Sequence, residues 1–192
     1  MLNKDKEILI SADGAARNNG KPNAIGGWGF VIVQEDQAVI EGYGSIPELN
    51  TNNQNEIKSI TDALAKLIES GVSQNAQINV EMDSAYVLNC VKDEWYISWI
   101  KNGWKNAKKQ PVANKELWLS FLDYLLWFDN LSFNKIKGHS GNKWNEMADR
   151  LANLAMDEAE EALSGLASGQ FVSESTKKQD LIAAIKAEKL KY

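Results

Sequence analysis

The chain has 192 residues, 44% of them hydrophobic and 24% charged, which is typical of a folded globular domain and argues against a disordered chain. No apolar run reaches the roughly 20 residues of a membrane span, and the single cysteine excludes an intramolecular disulfide, so we expect a cytoplasmic protein without a membrane segment. The net charge of −5 weakly disfavours a nucleic-acid partner, but residues 101–115 contain five lysines and no acid, and such a patch can steer a polyanion.

The first predicted element is a buried strand at residues 7–14 that ends in an Asp-Gly pair, followed by a polar loop at 15–23. Ligand crevices of open α/β sheets lie at the carboxyl ends of strands, so Asp13 is a candidate functional carboxylate. The alternative is a simple turn, because Asp-Gly is a common turn pair. Residues 26–33 and 37–43 then predict an antiparallel hairpin.

A helix follows the hairpin. Thr51 and Gln54 fit a capping box, and Gly71 predicts the end of the helix. Glu56 lies four residues before Ile60 and therefore shares its inward-facing apolar stripe. The helix dipole also favours a glutamate in the first turn, which is the simpler explanation for Glu56, but it does not explain the position on the buried face.

Residues 77–82 alternate as a strand, and Asp83 separates them from a predicted helix at residues 85–91. If this strand is a parallel neighbour of the first one, Asp83 lies beside Asp13 at the same edge of the sheet. A helix N-cap is the structural alternative for Asp83.

A helix predicted at residues 95–104 and ended by Gly103 carries three tryptophans bracketed by lysines and asparagines. They are Trp95, Trp99 and Trp104. For these three, core packing and a stacking platform for a nucleic-acid strand remain alternatives. Trp118, in the next predicted helix at residues 115–128, is expected in the core.

The last strand, predicted at residues 131–137, is followed by a glycine-flanked loop with the only histidine, His139. Packing rarely needs an imidazole in such a loop, so we expect a functional role for it. The final core helix begins near Asn142, and it carries Asn145 and Asp149 four residues apart on one face.

The composition shifts after Met156, and the sequence therefore predicts a core domain at residues 1–156 followed by an appendage at 157–192. Residues 157–175 are rich in Glu, Ala, Ser and Gly, which favours a linker. A short helix with an apolar stripe is predicted around Leu181.

Four acidic residues in one pocket would repel one another unless a cation lay among them. They are Asp13, Glu56, Asp83 and Asp149. An all-oxygen set of ligands favours Mg²⁺, with Mn²⁺ as a substitute, over Zn²⁺. Two such ions can stabilise the attacking and leaving oxygens of a phosphodiester displacement.

From about residue 6 to residue 155 the chain resembles a type 1 ribonuclease H of the bacterial kind. The matching motifs are Asp13-Gly14, Gly26-Gly27-Trp28-Gly29, Thr51-Asn52-Asn53-x-x-Glu56, Asp83-Ser84-x-Tyr86-Val87, residues 99–111 and Lys137-Gly138-His139-Ser140-Gly141-x-x-x-Asn145-Glu146-x-Ala148-Asp149. The resemblance implies a mixed five-stranded α/β sheet, with strands 1–3 antiparallel and helices on both faces. It implies hydrolysis of the RNA strand of RNA–DNA hybrids with little sequence preference, leaving 5′-phosphate and 3′-hydroxyl ends.

The same resemblance implies roles for individual residues. The metal ligands would be the four acids named above, with two Mg²⁺ ions in the substrate complex, and His139 would assist proton transfer or product release. The substrate-binding residues would be Thr51, Asn52, Asn53, Trp95, Trp99, Trp104, Lys101, Lys105, Lys108, Lys109 and Asn145. We expect an RNA–DNA hybrid as partner, a monomer, and residues 1–156 as the catalytic domain.

Two departures from the family pattern concern substrate contacts. Ala85 stands where relatives often have glutamine, so one minor-groove hydrogen bond is expected to be missing. The loop at residues 15–25 is longer than usual, which leaves Asn18, Asn19 and Asn23 as alternatives for a substrate-binding asparagine.

Two other functions stay open on the sequence alone. Resolvase or integrase cores share the fold and use acidic clusters, although the histidine loop and the tryptophan–lysine segment speak against them. A non-catalytic hybrid-binding module is the second alternative, and four mutually repelling acids speak against it.

Overall fold

The structure is a computed structural model, and it describes residues 2–3, 6–138 and 141–167. These residues form five strands and five helices. The strands are β1 (Ile8–Arg17), β2 (Ile25–Gln34), β3 (Gln37–Gly44), β4 (Gln77–Met82) and β5 (Asn130–Lys135). The helices are α1 (Asn52–Glu69), α2 (Ala85–Lys92), α3 (Trp95–Lys101), α4 (Lys115–Leu125) and α5 (Lys143–Ala167).

The strands form one mixed sheet in the order β3-β2-β1-β4-β5. The strands β1, β2 and β3 pair antiparallel, whereas β4 is parallel to both β1 and β5. Ile8 and Ile10 of β1 belong to the larger core cluster together with Ile57 of α1. Val31 of β2 packs on the opposite face with Trp144 of α5. The predicted fold, a mixed sheet with helices on both faces, is confirmed.

Strand β1 is longer than predicted, and the expected loop from residue 15 is wrong in its first part. Ala15, Ala16 and Arg17 continue the ladder opposite residues 25–27 of β2. Asp13 therefore lies inside β1. Only the parallel pairing with β4 stops before it, at the Ser11–Glu81 pair.

The glycines of β2 explain why this polar stretch can remain a strand. A Cβ added at Gly27 would lie 2.4 Å from the Ala152 carbonyl oxygen, and one added at Gly29 would lie 2.4 Å from that of Ala148. Helix α5 therefore packs directly on the β2 backbone. This close contact stabilises the β1–β2 ladder. The apolar pattern of β1 alone does not predict it.

Helix α1 has the predicted ends. The Thr51 side chain accepts a hydrogen bond from the Gln54 amide at 3.3 Å, and the Gln54 side chain accepts one from the Thr51 amide at 3.0 Å. Ser70 is the C-cap, and Gly71 follows with a positive φ of 74°. The capping box and the terminating glycine are both confirmed.

Other boundaries differ from prediction. Helix α3 ends at Lys101, α4 ends at Leu125, and β5 covers Asn130–Lys135, so each is shorter than its predicted range. Helix α5 continues to Ala167, and the linker predicted from residue 157 is wrong as far as 167. Glu and Ala favour a continuing helix, which explains the error. The helix predicted around Leu181 lies outside the described residues.

Residues 1–156 form one compact unit. Both core clusters lie within it. The division into a catalytic domain and an appendage stays a prediction. Among the described residues, none of the helices combines the length and the apolar character that a membrane crossing requires.

Candidate active site

Three of the four predicted carboxylates meet beside the central strand pair. Carboxylate oxygens of Asp13, Glu56 and Asp83 all lie within 4.8 Å of one another. Strands β1 and β4 bring the two aspartates together, because each follows the parallel Ser11–Glu81 pair by two residues. Side chains two residues apart on a strand share a face. The expectation that Asp83 lies beside Asp13 is confirmed.

Capping does not explain Asp83. The N-cap of α2 is Ser84, whose hydroxyl accepts a hydrogen bond from the Val87 amide at 3.5 Å. Gly138 adjoins the carboxylate, because a Cβ added there would lie 2.3 Å from Asp83 Oδ2. The β5–α5 connection therefore reaches the acidic cluster through a glycine, where any larger residue would collide with the carboxylate.

Glu56 enters the cluster from helix α1. The helix approaches β1 closely, since a Cβ added at Gly14 would lie 2.3 Å from the Glu56 amide nitrogen. The Glu56 side chain is buried, and its Oε2 atom has no hydrogen-bond partner among the residues that the structure describes. Burial, followed by the charges of Asp13 and Asp83, raises the pKa of Glu56 well above 4.5.

Helix α5 brings the fourth carboxylate to Asp13. Gly29, on which Ala148 packs, is the register partner of Asp13 in the β1–β2 ladder, so Asp149 lies beside that carboxylate. Burial raises the pKa of Asp13 from 3.8 to about 7; the charges of Asp83 and Asp149 and a hydrogen bond with Asp149 contribute. The Gly14 amide, which donates to Asp13 Oδ1 at 2.8 Å, lowers the pKa and only partly offsets these effects.

These residues fit a divalent cation. A buried carboxylate oxygen without a partner, and carboxyl groups whose pKa values are raised by burial and then by neighbouring acids, are what a cation among these residues would stabilise. The converging donors are all carboxylate oxygens. This donor set favours Mg²⁺ or Mn²⁺ over Zn²⁺.

Beside the cluster, the loop between β1 and β2 touches the start of α1. The Asn52 amide donates to Asn19 Oδ1 at 3.1 Å, and Asn52 Oδ1 accepts from the Ala16 amide at 2.8 Å. Of the three candidate asparagines in this loop, Asn19 is thus the one hydrogen-bonded to α1. Asn53 is exposed next to them.

The three tryptophans predicted as core or platform are partly buried and pack against the larger core. The Trp99 ring lies 6.3 Å from that of Trp95, 6.0 Å from that of Trp104 and 5.5 Å from that of Trp118, measured between centroids. Trp118 is fully buried, as expected. Core packing therefore buries much of each of the other three tryptophan rings, and the rest of each ring stays exposed to solvent.

The predicted substrate-binding lysines lie on α3 and the turn after it. Lys101, Lys105, Lys108 and Lys109 are all exposed. The turn is ordered by a bridge between Lys105 and Pro111, by the Asn106 amide donating to the Gln110 carbonyl at 2.8 Å, and by the Val112 amide donating to the Trp104 carbonyl at 3.0 Å. Lys101 thus lies at the end of α3, and the other three lysines lie on this hydrogen-bonded turn.

The two remaining predicted site residues are Asn145 and His139. We expect Asn145 to contact substrate; the residue is only 3% exposed, and the contact stays a prediction. His139 lies outside the described residues, between Gly138 and Gly141.

Sequence reasoning missed Glu81. This residue precedes Asp83 by two positions on β4, and its Oε2 accepts a hydrogen bond from Asn142 Nδ2 at 3.1 Å. Side chains alternate along a strand, so Glu81 lies on the same face as Asp83. That spacing is the one signal in the sequence that could have identified Glu81 as a residue near the site.

Comparison with known proteins agrees with this geometry. The sequence profile of the RNase H family matches residues 5–157. A ribonuclease H of Clostridium botulinum is 41% identical over 155 residues, which cover 80% of this chain and 97% of the relative. The chain belongs to the RNase H family. This RNase H is therefore an endoribonuclease.

Further relatives support the family and the fold. The ribonuclease H of Syntrophomonas wolfei is 41% identical over 153 residues, which cover 79% of this RNase H and 97% of the relative. The structure of LC11-RNase H1 in complex with an RNA/DNA hybrid superimposes with a TM-score of 0.59 and 26% identity, covering 79% of this chain and 98% of that one.

Proposed function

We propose that this RNase H hydrolyses the RNA strand of RNA–DNA hybrids, using two Mg²⁺ ions and leaving 5′-phosphate and 3′-hydroxyl ends. The observation that carries the proposal is the convergence of Asp13, Glu56 and Asp83, with Asp149 near enough to raise the pKa of Asp13, in a chain of this family. The hybrid bound to LC11-RNase H1 supports the choice of substrate.

The four carboxylates would hold the metal ions. Mg²⁺, when bound, supplies Lewis acidity and orients the attacking and leaving oxygens of a phosphodiester, and Mn²⁺ would be a substitute. Asp13, whose pKa burial and the neighbouring acids raise to about 7, would be one of the ligands and would bind the ion as a carboxylate. Glu56, buried on α1 with one unpartnered carboxylate oxygen, would contribute that oxygen as a ligand.

The start of α1 would read the substrate as RNA. An RNA strand exposes its 2′-hydroxyl groups in a wide, shallow minor groove. Asn52 and Asn53 follow Thr51 at the N-terminus of the helix, and Asn19 is hydrogen-bonded to the same turn. Amide groups in this position can bond to hydroxyls, and the helix terminus favours phosphate. Such contacts read the sugar and not the base, so we expect little sequence preference.

The tryptophan–lysine surface would hold the opposite strand. We define this surface by Trp95, Trp99, Trp104 and the four exposed lysines on α3 and the following turn. Partly exposed rings and lysine charges together suit the sugar–phosphate backbone of DNA. His139, which follows Gly138 in the sequence, would assist proton transfer or product release. The enzyme would act as a cytoplasmic monomer.

A cleavage assay tests the proposal. A labelled RNA–DNA hybrid, single-stranded RNA, duplex RNA, duplex DNA and a four-way DNA junction are each incubated with the enzyme and Mg²⁺ or EDTA. We expect Mg²⁺-dependent cleavage of the hybrid alone, with product ends that a ligase and a phosphatase identify as 5′-phosphate and 3′-hydroxyl. Cleavage of the junction, or of single-stranded RNA at an equal rate, would contradict the proposal.

A further inference from the structure

We propose that Glu81 is a positioning residue of the active site, which orients helix α5 through the side chain of Asn142. The proposal rests on the function proposed above. Glu81 lies on β4, on the same face as Asp83, and its register partner Ser11 precedes Asp13 by two residues. It is therefore the next residue behind the carboxylate cluster on the face that α5 covers.

The side chain of Asn142 connects Glu81 to the first turn of α5. Its Nδ2 atom donates to Glu81 Oε2 at 3.1 Å. Its Oδ1 atom accepts from the amides of Trp144 and Asn145, each at 3.1 Å, and so caps the helix. An asparagine amide has two orientations, and only the one that places nitrogen at Glu81 leaves oxygen toward the helix. Glu81 thus selects the capping orientation.

This cap matters because α5 carries Asp149. In the same turn, Asn145 Oδ1 is buried without a hydrogen-bond partner among the described residues, so it does not add to this cap. The β5–α5 connection is also held on its other side, where the Ile136 amide donates to the Met82 carbonyl at 3.1 Å. The Glu81–Asn142 bond is the corresponding attachment at the α5 side. A shift of the cap would move Asp149 relative to Asp13, and small displacements of this kind slow catalysis strongly.

The first experiment separates the hydrogen bond from the charge. Glu81→Gln keeps an acceptor oxygen for Asn142 and removes the charge, whereas Glu81→Ala removes both. We expect Glu81→Ala to lower kcat on the hybrid by about tenfold or more with KM nearly unchanged, and Glu81→Gln to stay within about threefold of the parent. Equal losses in the two variants would show that the charge matters and would overturn the proposal.

The second experiment reverses the polarity of the bond. Asn142→Asp keeps a capping oxygen but places a carboxylate against Glu81, so kcat should fall as in Glu81→Ala. In the double variant Glu81→Gln/Asn142→Asp, the introduced glutamine amide can donate to the introduced carboxylate, and kcat should recover. No recovery would overturn the proposal, and this test remains decisive if Glu81→Ala fails to fold.

A third measurement does not depend on activity. Mg²⁺ alone should raise the Tm of the parent, because it binds the folded carboxylate cluster and not the unfolded chain. In Glu81→Ala the Mg²⁺-induced rise should be smaller, and in the double variant it should return. A lower Tm with an unchanged Mg²⁺-induced rise and unchanged kcat would indicate a structural role only and contradict positioning.

The outcomes also separate this proposal from the proposed function. If the parent does not cleave hybrids, the proposed function fails, and the Mg²⁺-induced Tm shifts still test Glu81. If the parent cleaves hybrids and Glu81→Ala keeps both its kcat and its Mg²⁺ response, only the positioning role of Glu81 is overturned.

Discussion

Asp13 shows at the scale of one residue how the site is arranged for a cation. Its pKa of about 7 lies far above the ordinary value of 3.8, with burial as the largest cause and neighbouring acids next. The pKa of Glu56 is raised in the same direction. Without metal, the folded protein therefore binds protons more tightly than the unfolded chain does between about pH 4 and pH 7. Stability is highest below this window and is lost as the pH rises through it.

The first prediction concerns the charge of Asp13. Without divalent cations, the parent should be more stable at pH 5 than at pH 8, and a pKa shift of this size corresponds to at most about 4 kcal/mol. Asp13→Asn should abolish cleavage, flatten this pH dependence, and be at least as stable as the parent at pH 8. Urea unfolding in EDTA at several pH values, together with the hybrid assay, measures all three effects. Activity within tenfold of the parent would contradict the two-metal proposal.

At the scale of elements, the site depends on how closely helices approach the sheet. Helix α1 approaches β1 at Gly14 and brings Glu56, while α5 approaches β2 at Gly29 and brings Asp149. At both contacts the strand residue is a glycine, so no side chain separates the strand backbone from the helix backbone. The carboxylates belong to four different elements or their ends, so these approaches decide whether the cluster forms.

The second prediction tests the α5 contact. Gly29→Ala would place a methyl group 2.4 Å from the Ala148 carbonyl oxygen, so α5 must move away from the sheet. We expect a loss of stability of about 1–3 kcal/mol and a clear fall in kcat, because Asp149 moves with the helix. The control is Gly42→Ala on β3, whose added methyl group meets the Phe30 ring instead. The control should lose stability and keep kcat; the same kcat in both variants would contradict the argument.

The third prediction concerns the tryptophan–lysine surface, which lies on elements separate from the carboxylates. Replacing Lys101, Lys105, Lys108 and Lys109 by Ala should raise KM strongly at moderate salt and change kcat little. The contacts are equal in ground and transition states, so they affect binding alone. For every phosphate that the variant no longer neutralises, the slope of log affinity against log salt should become shallower by roughly 0.9.

The control for this variant removes lysines that already have acidic partners. Lys6 pairs with Glu35, and Lys66 pairs with Glu69 at 3.0 Å. Their replacement by Ala should change KM and the salt slope much less for each charge removed. If the surface variant kept the parent KM and salt slope, the hybrid would be held elsewhere on the protein.

For the whole molecule, the fourth prediction is that folding and catalysis do not require the residues after 167. Both core clusters and all four carboxylates lie in the compact unit of residues 1–156. A chain that ends at Ala167, which keeps the whole of α5, should fold and retain the parent kcat. Circular dichroism and the hybrid assay measure this, and loss of folding would show that the core requires residues after 167. A chain that ends at Met156 is the more severe truncation, because it also lacks the last part of α5.

The sequence by itself determined the elements whose causes are local. The capping box of Thr51, the glycine after α1 and the buried run of β1 follow from neighbouring residues, and the predicted positions of Glu56 and Asp83 followed from them. The resemblance to the RNase H family also predicted that Asp13 and Asp149 act together with these two acids. Membership of the family is confirmed.

Only the tertiary structure decided the features that depend on contacts between distant segments. The extension of β1 to Arg17 depends on its pairing with β2, on which α5 packs closely. The burial of Asn145 depends on the contacts that α5 makes with the rest of the fold. The hydrogen bond from the Asn52 amide to Asn19, and the one from Asn142 to Glu81, each join segments that are distant in the sequence. Local patterns record which backbone conformation a segment prefers, whereas burial, pKa and hydrogen-bond partners arise from the side chains that the fold brings together.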